Sequence, residues 1–197
     1  KPYLIAMPLK TTQTESLTGN LLVAMPQMSD PRFERAVIYI CAHNDEGAMG
    51  LVVNKLFDQL SFPDLLEQLN IKTGPRTQQI RVHFGGPVES GRGFVLHSDD
   101  YVREGTMLVT SGFALTATVD ILRAIAEGEG PRSSILALGY AGWGPGQLET
   151  EMAANGWLNV PADPELVFGS DLEHMWQNAM AKIGINPPSL SSLSGHA

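Results

Sequence analysis

The sequence predicts a single α+β domain, built on a mixed, mostly antiparallel sheet with helices packed outside it. Three observations lead there. Two runs rich in β-branched and aromatic residues, at 37–43 and 49–53, flank a short Asn-Asp-Glu-Gly turn and read as a β-hairpin. Strand and helix patterns then follow in irregular order, not as repeated βαβ units, which argues against a doubly wound parallel sheet. Finally, 197 residues, 43% of them hydrophobic, suffice to bury one core without disulfides, and no repeat or linker divides them.

The polar, Thr- and Gln-rich residues 1–16 are expected to form a mobile lead-in to a domain spanning 17–185. The apolar run at 21–24 reads as a buried strand. Met25-Pro26 ends it, because proline cannot donate to a sheet ladder. Asp30-Pro31 makes a turn. In the strand at 37–43, alternation puts Val37, Tyr39, Cys41 and His43 on one face and Ile38, Ile40 and Ala42 on the other. Residues 61–69 read as a helix capped by Ser61, with Pro63 in its first turn and Leu65, Leu66 and Leu69 on one face.

Further strands are expected at 80–84, which Gly85-Gly86-Pro87 ends, at 93–98 and at 107–110. The spacing of Val119, Leu122, Ile125 and Ala126 predicts an amphipathic helix over 116–127, stopped by a left-handed Gly128. The apolar run at 135–140 reads as a strand covered on both faces. Residues 141–146 read as a Gly-rich loop opening a helix at 147–154, which Gly156 ends, and 157–160 is extended. A last helix is predicted over 171–183, with Ser170 and Glu173 as a capping box and Gly184 as its stop. Proline and serine then predict a disordered tail over 186–197.

Charge limits the partners. Thirteen Lys and Arg against 21 Asp and Glu give a net charge of −8. Nucleic acid demands a concentrated cationic face, and the densest basic stretch holds only Lys72, Arg76 and Arg81, so nucleic acid is not an expected partner. No apolar run approaches the ~20 residues that span a bilayer, so no membrane association is expected. The single Cys41 excludes an internal disulfide and fits a reducing compartment. Residues 1–8 carry no signal-peptide pattern, and the expected location is cytoplasmic.

Four segments, taken in order, carry a resemblance. The first is Leu17-Thr18-Gly19-Asn20 through Met25-Pro26-Gln27-Met28, with Asp30-Pro31-Arg32-Phe33. The second is His43 with Gly47-Ala48-Met49-Gly50 and Asn54. The third is Phe84-Gly85-Gly86-Pro87-Val88 with Gly93-Phe94-Val95-Leu96-His97. The fourth is Leu138-Gly139-Tyr140-Ala141-Gly142-Trp143-Gly144-Pro145-Gly146-Gln147-Leu148-Glu149, with Glu151, Asn155, Trp157 and Leu158. Each is a weak motif alone. Their order and spacing over roughly residues 17–170 resemble the bacterial YqgE/AlgH family. The resemblance implies one α+β domain on a bifurcated, strongly coiled sheet with helices outside. It also implies a regulatory label, from a role proposed for one branch as a transcriptional regulator of alginate production. It implies no reaction, cofactor or catalytic residue.

The residues offer few sites. Gly139 to Gly146 follows an apolar strand and opens a helix, a place where anions bind. It matches neither the phosphate-loop nor the dinucleotide pattern, and Glu149 and Glu151 follow it, so the plainer role is a tight turn. Gly85-Gly86 offers a backbone nest or, more simply, a turn. His43, His83 and His97 sit near strand ends without ligand spacing, so no metal is expected. Cys41 and His43 on one strand face would stand about 7 Å apart, long for a thiolate–imidazole pair. If a pocket exists, Gly85, Gly86, His97, Tyr140, Gly142, Trp143 and Gly144 are expected to line it, since sites gather at strand-end loops.

No catalytic constellation and no cofactor is legible. The leading expectation is a non-enzymatic regulatory or interaction protein that binds a partner protein or small ligand, its oligomeric state open. An enzyme with a site built from the Gly-rich loops and strand-end histidines is the alternative. A DNA-binding regulator comes third, disfavoured by charge.

Overall fold

The structure, a computed structural model, describes residues 15–75, 77 and 80–186. Most of the expected lead-in and tail therefore lies outside the described residues. In chain order the elements are β1 (Asn20–Ala24), β2 (Val37–Asn44), β3 (Gly47–Val52), α1 (Phe62–Gln68), β4 (Val82–Phe84), β5 (Val88–His97), β6 (Thr106–Thr110) and β7 (Phe113–Thr116). There follow α2 (Val119–Glu127), β8 (Ser134–Trp143), α3 (Gln147–Ala153), β9 (Trp157–Pro161), α4 (Pro164–Val167) and α5 (Met175–Lys182).

The strands join in one sheet of order β6-β7-β5-β8-β3-β2-β1-β9, with β4 attached to β8 off that path. Every pairing is antiparallel except β4 with β8. β8 is where the sheet forks. One of its edges pairs with β5. The other is divided between β4, alongside Leu136, Ala137 and Leu138, and β3, alongside Ala141, Gly142 and Trp143.

Glycine makes the fork possible. Gly139, between the two stretches, has φ 74°, which a side chain resists. Gly85 donates to Leu138 O and accepts from Val52 N–H, stitching β4, β8 and β3 together. The sheet also curls, so that Gly19, just before β1, lies against the Thr110 side chain at the end of β6. The inner face buries Leu21, Tyr39, Leu51, Phe94, Leu96 and Phe113. α5 covers that face, its Trp176 indole donating to Ala24 O at 2.7 Å. Outside, α1 and α2 bury Phe62, Leu66, Ile121 and Ile125 against β4, β5 and β8, while Leu148 of α3 packs with Trp143 and Trp157.

Several expectations need correction. The Gly-rich loop at 141–146 is half strand, because pairing with β3 carries β8 through Trp143 against the weak strand preference of glycine. β5 starts at Val88 rather than Gly93, with an irregular register between those residues. β7 is not among the expected elements, and its last residue, Thr116, falls inside the helix expected over 116–127; all four of its residues are buried by neighbours that sequence does not reveal. The bulge between Ile40 and Ala42 breaks the alternation of β2. Cys41 therefore belongs to the inner core, while His43 turns to the outer face and meets Glu149 of α3.

The Ser170–Glu173 capping box does not form. α5 begins at Met175, and Asp171 instead accepts from His174 N–H at 3.2 Å. The left-handed residue after α3 is Asn155, with φ 58°, one position before the Gly156 expected to end the helix. α4, one turn capped by Asp163 with Pro164 behind it, is too short to show in a periodicity.

A groove where the sheet forks

Beside the fork the sheet leaves an open groove of about 610 Å³. Its floor is cut by small residues: Ala42 of β2, Gly47 of β3 and Gly142 of β8. Its walls are Met49 of β3, Tyr140 of β8, and Val88 and Phe94 of β5. Phe94 meets Tyr140 edge-on, ring centroids 5.8 Å apart. Polar groups stand at the two ends. Arg92 lies over the Phe94 ring, 5.0 Å from its centroid, while Asn44 and Glu46 occupy the opposite end at the β2–β3 turn.

The residues singled out in the sequence divide into three groups. Tyr140, Gly142 and Trp143 all line the groove. Strand alternation separates their side chains, however. Tyr140 packs toward the inner core, whereas the Trp143 indole lies on the outer side against Trp157, at 6.1 Å. Gly85 and Gly86 adjoin the groove from behind without lining it. A Cβ on Gly85 would fall 2.3 Å from Gly139 O, and one on Gly86 2.1 Å from the Tyr140 carbonyl carbon. Their lack of a side chain serves backbone contact between the two Gly-rich stretches, which do lie side by side.

His97 and Gly144 lie elsewhere. Gly144 N–H is held by Gln147 Oε1 at 3.0 Å, at the start of α3. His97 pairs with Ser134 at the far end of β8 and is fully buried. Its Nδ1–H donates to Ser98 O and its Nε2 accepts from the Thr116 hydroxyl, both at 2.8 Å. Burial holds this ring below the ordinary imidazole range.

The reactive residue types are committed to structure. Burial pushes the Cys41 thiol up to about 12. His43 Nδ1 accepts from Leu17 N–H at 2.9 Å, so its Nε2–H donates to Glu149 at 2.5 Å. With Cys41 and His43 on opposite faces of β2, no thiolate–imidazole pair forms. Glu149 is held below the usual carboxylate range by backbone hydrogen bonding and by His43. Among the described residues no three His, Cys, Asp or Glu side chains gather as metal ligands. No described helix is long and apolar enough to cross a membrane.

Sequence reasoning missed Met49, Val88, Arg92 and Phe94. Arg92 and Phe94, two apart in β5, share a face, a signal that was legible in the sequence. Their position opposite Met49 and Ala42 was not, since it depends on the order β5-β8-β3-β2.

Comparison with known proteins adds the following. A family model described as DUF179, AlgH-like, matches residues 21–188. A UPF0301 protein of Cereibacter sphaeroides is 58% identical over 182 residues, covering 92% of this chain and 99% of its own length. Another, from Rhodospirillum rubrum, is 57% identical over 181 residues, covering 92% and 94%. The solution structure of the AlgH protein from Pseudomonas aeruginosa superimposes with a TM-score of 0.76 at 41% identity, covering 96% of this chain and 100% of that one. A crystal structure of a Corynebacterium diphtheriae protein shares the fold, with a TM-score of 0.72 at 21% identity and coverage of 91% and 93%.

Proposed function

The chain belongs to the DUF179, AlgH-like family, and from that premise we propose that it is a non-enzymatic regulatory protein that binds a small organic ligand in the groove at the fork of its sheet. The observation that carries this reading is the groove itself. Its volume of about 610 Å³ lies in the small-molecule range, and its walls are apolar and aromatic with a few polar groups at the ends. Support also comes from what surrounds it. Cys41 is buried with a raised thiol, and both ring nitrogens of His43 and His97 are occupied by structural hydrogen bonds, so none of these three serves as a free base or nucleophile at the groove. With a net charge of −8, regulation through the ligand fits better than contact with DNA.

The atoms nearest a Cβ on Gly142 are side-chain atoms of Tyr140 and Val88, at 3.4 and 3.8 Å, an ordinary contact without backbone collision, so Gly142→Leu is the variant to obstruct the floor. Native mass spectrometry of protein purified from its own host should show a mass excess that Gly142→Leu lacks. A clean apo mass for the unaltered protein rejects the small ligand. It would favour the second reading, in which this open groove receives a segment of a partner protein, and Gly142→Leu would then be compared in pull-downs.

A further inference from the structure

We propose that the groove selects a monocarboxylate with an apolar body; this rests on the reading of the groove as the binding site and names its ligand class. The argument starts from unused hydrogen-bonding groups. The Tyr140 hydroxyl has no hydrogen-bond partner among the described residues. Asn44 Oδ1 accepts from Glu46 N–H at 2.8 Å, which fixes the amide orientation and leaves its N–H groups as the free face. Arg92 is the single cation among the residues lining the groove. Its Nη1 stands 3.5 Å from Glu89, with both side chains more than half exposed, a pairing that holds little of the guanidinium. Arg92 and the Tyr140 hydroxyl can both donate from adjacent strands, where an acceptor oxygen of a ligand would satisfy them.

Strand order gives the ligand its polarity. Arg92 projects from β5 and Tyr140 from the adjacent β8. Glu46, the single carboxylate lining the groove among the described residues, stands in the turn between β2 and β3. At least two strand spacings, roughly 10 Å, separate the two ends along the sheet. Glu46 is therefore too distant to pair with Arg92, whose only carboxylate partner among the described residues is the exposed Glu89, and Glu46 repels a second negative charge arriving at its own end. Between the ends lie Met49, Phe94, Ala42 and Gly142, an apolar surface with a shallow floor. One carboxylate against Arg92 and Tyr140, with a hydrocarbon or aromatic body toward Met49, satisfies this arrangement. A dicarboxylate or a neutral alcohol does not.

The test uses three probes on the full chain, followed by amide chemical shifts: 4-phenylbutyrate, 4-phenylbutan-1-ol and suberate. The phenylbutyrate is expected to shift Met49, Phe94 and Gly142 saturably and to bind about tenfold more tightly than the alcohol, the usual worth of one charge-assisted hydrogen bond. Suberate is expected to bind more weakly than phenylbutyrate. Arg92 is exposed, so Arg92→Met should fold normally and abolish the preference for the acid over the alcohol, whereas Arg92→Lys should retain part of it. Equal binding of acid and alcohol, an unaltered preference in Arg92→Met, tighter binding of suberate, or no shift with any probe overturns the proposal. The host-derived mass excess and its loss in Gly142→Leu are read separately, so the groove reading can stand when the carboxylate assignment falls.

Discussion

Burial of His83 on β4 puts a pH dependence into folding. The ring is 6% exposed, its Nδ1 has no hydrogen-bond partner among the described residues, and desolvation pushes its pKa down to about 4 from 6.5. The sign follows from proton uptake. Below pH 6.5 the unfolded chain binds a proton at His83 that the folded chain refuses. Stability is therefore full above 6.5 and falls as the pH drops toward 4, by about 3 kcal/mol over that window. Urea unfolding at pH 7, 5.5 and 4.5 should show the decline, and His83→Gln should remove most of it. An unchanged slope in that variant would assign the decline to other groups. The carboxyls of Asp100, Glu149 and Asp163 act in a different window. Their pKa values are lowered in the fold, so their contribution is present above the ordinary carboxylate range and lost as the pH falls through their folded values.

Helix ends show how a local signal can be used or overridden. The Ser61 side chain accepts from Asp64 N–H at the start of α1, as its spacing predicted. The same kind of signal at Ser170 and Glu173 is not used. There the chain stays irregular to His174, and the Ser170 main-chain oxygen accepts from Arg81, just ahead of β4. Ser61→Ala should cost about 1 kcal/mol of stability, whereas Ser170→Ala should stay within about 0.5 kcal/mol. Chemical denaturation of the two variants checks the contrast, and equal losses would mean that Ser170 supports its helix after all. The bulge in β2 is the strand counterpart. One irregular residue sends His43 to the outer face, where it ties Leu17 and Glu149 together.

The whole molecule depends on backbone contact at the fork. β4 can attach to β8, and β3 can leave it, because Gly85, Gly86 and Gly139 let main chains meet where a Cβ would collide. Gly85→Ala puts its methyl 2.3 Å from Gly139 O, and Gly139→Ala puts one 2.3 Å from Gly86 O at a positive φ. Each should cost about 3 kcal/mol or more, since the obstacle is backbone with no rotamer to yield. Gly91 in β5 has open space around it, and Gly91→Ala should be near neutral. Thermal unfolding of the three variants tests the fork as the weak point of the fold; comparable melting temperatures would refute it.

How much was legible depends on the range of the cause. The hairpin of β2 and β3, the caps of α1 and α2, and the apolar stretch of β8 rest on neighbours in sequence, and they could be read there. The four spaced segments pointed to the family and, through it, to a bifurcated sheet. Tyr140 and Gly142 are legible because a glycine-rich stretch follows an apolar strand, whereas His97, at a strand end of β5, lies buried beside the far end of β8. Composition and short-range pattern by themselves determined an acidic α+β domain with most of its elements and the neighbourhood of its groove. The tertiary structure alone decided that β8 would fork, that Cys41 and His43 would face apart, and that Arg92 and Phe94 would stand across from Met49. Those outcomes depend on which strands lie side by side, and strand pairing joins residues too far apart in the chain for local preference to specify them.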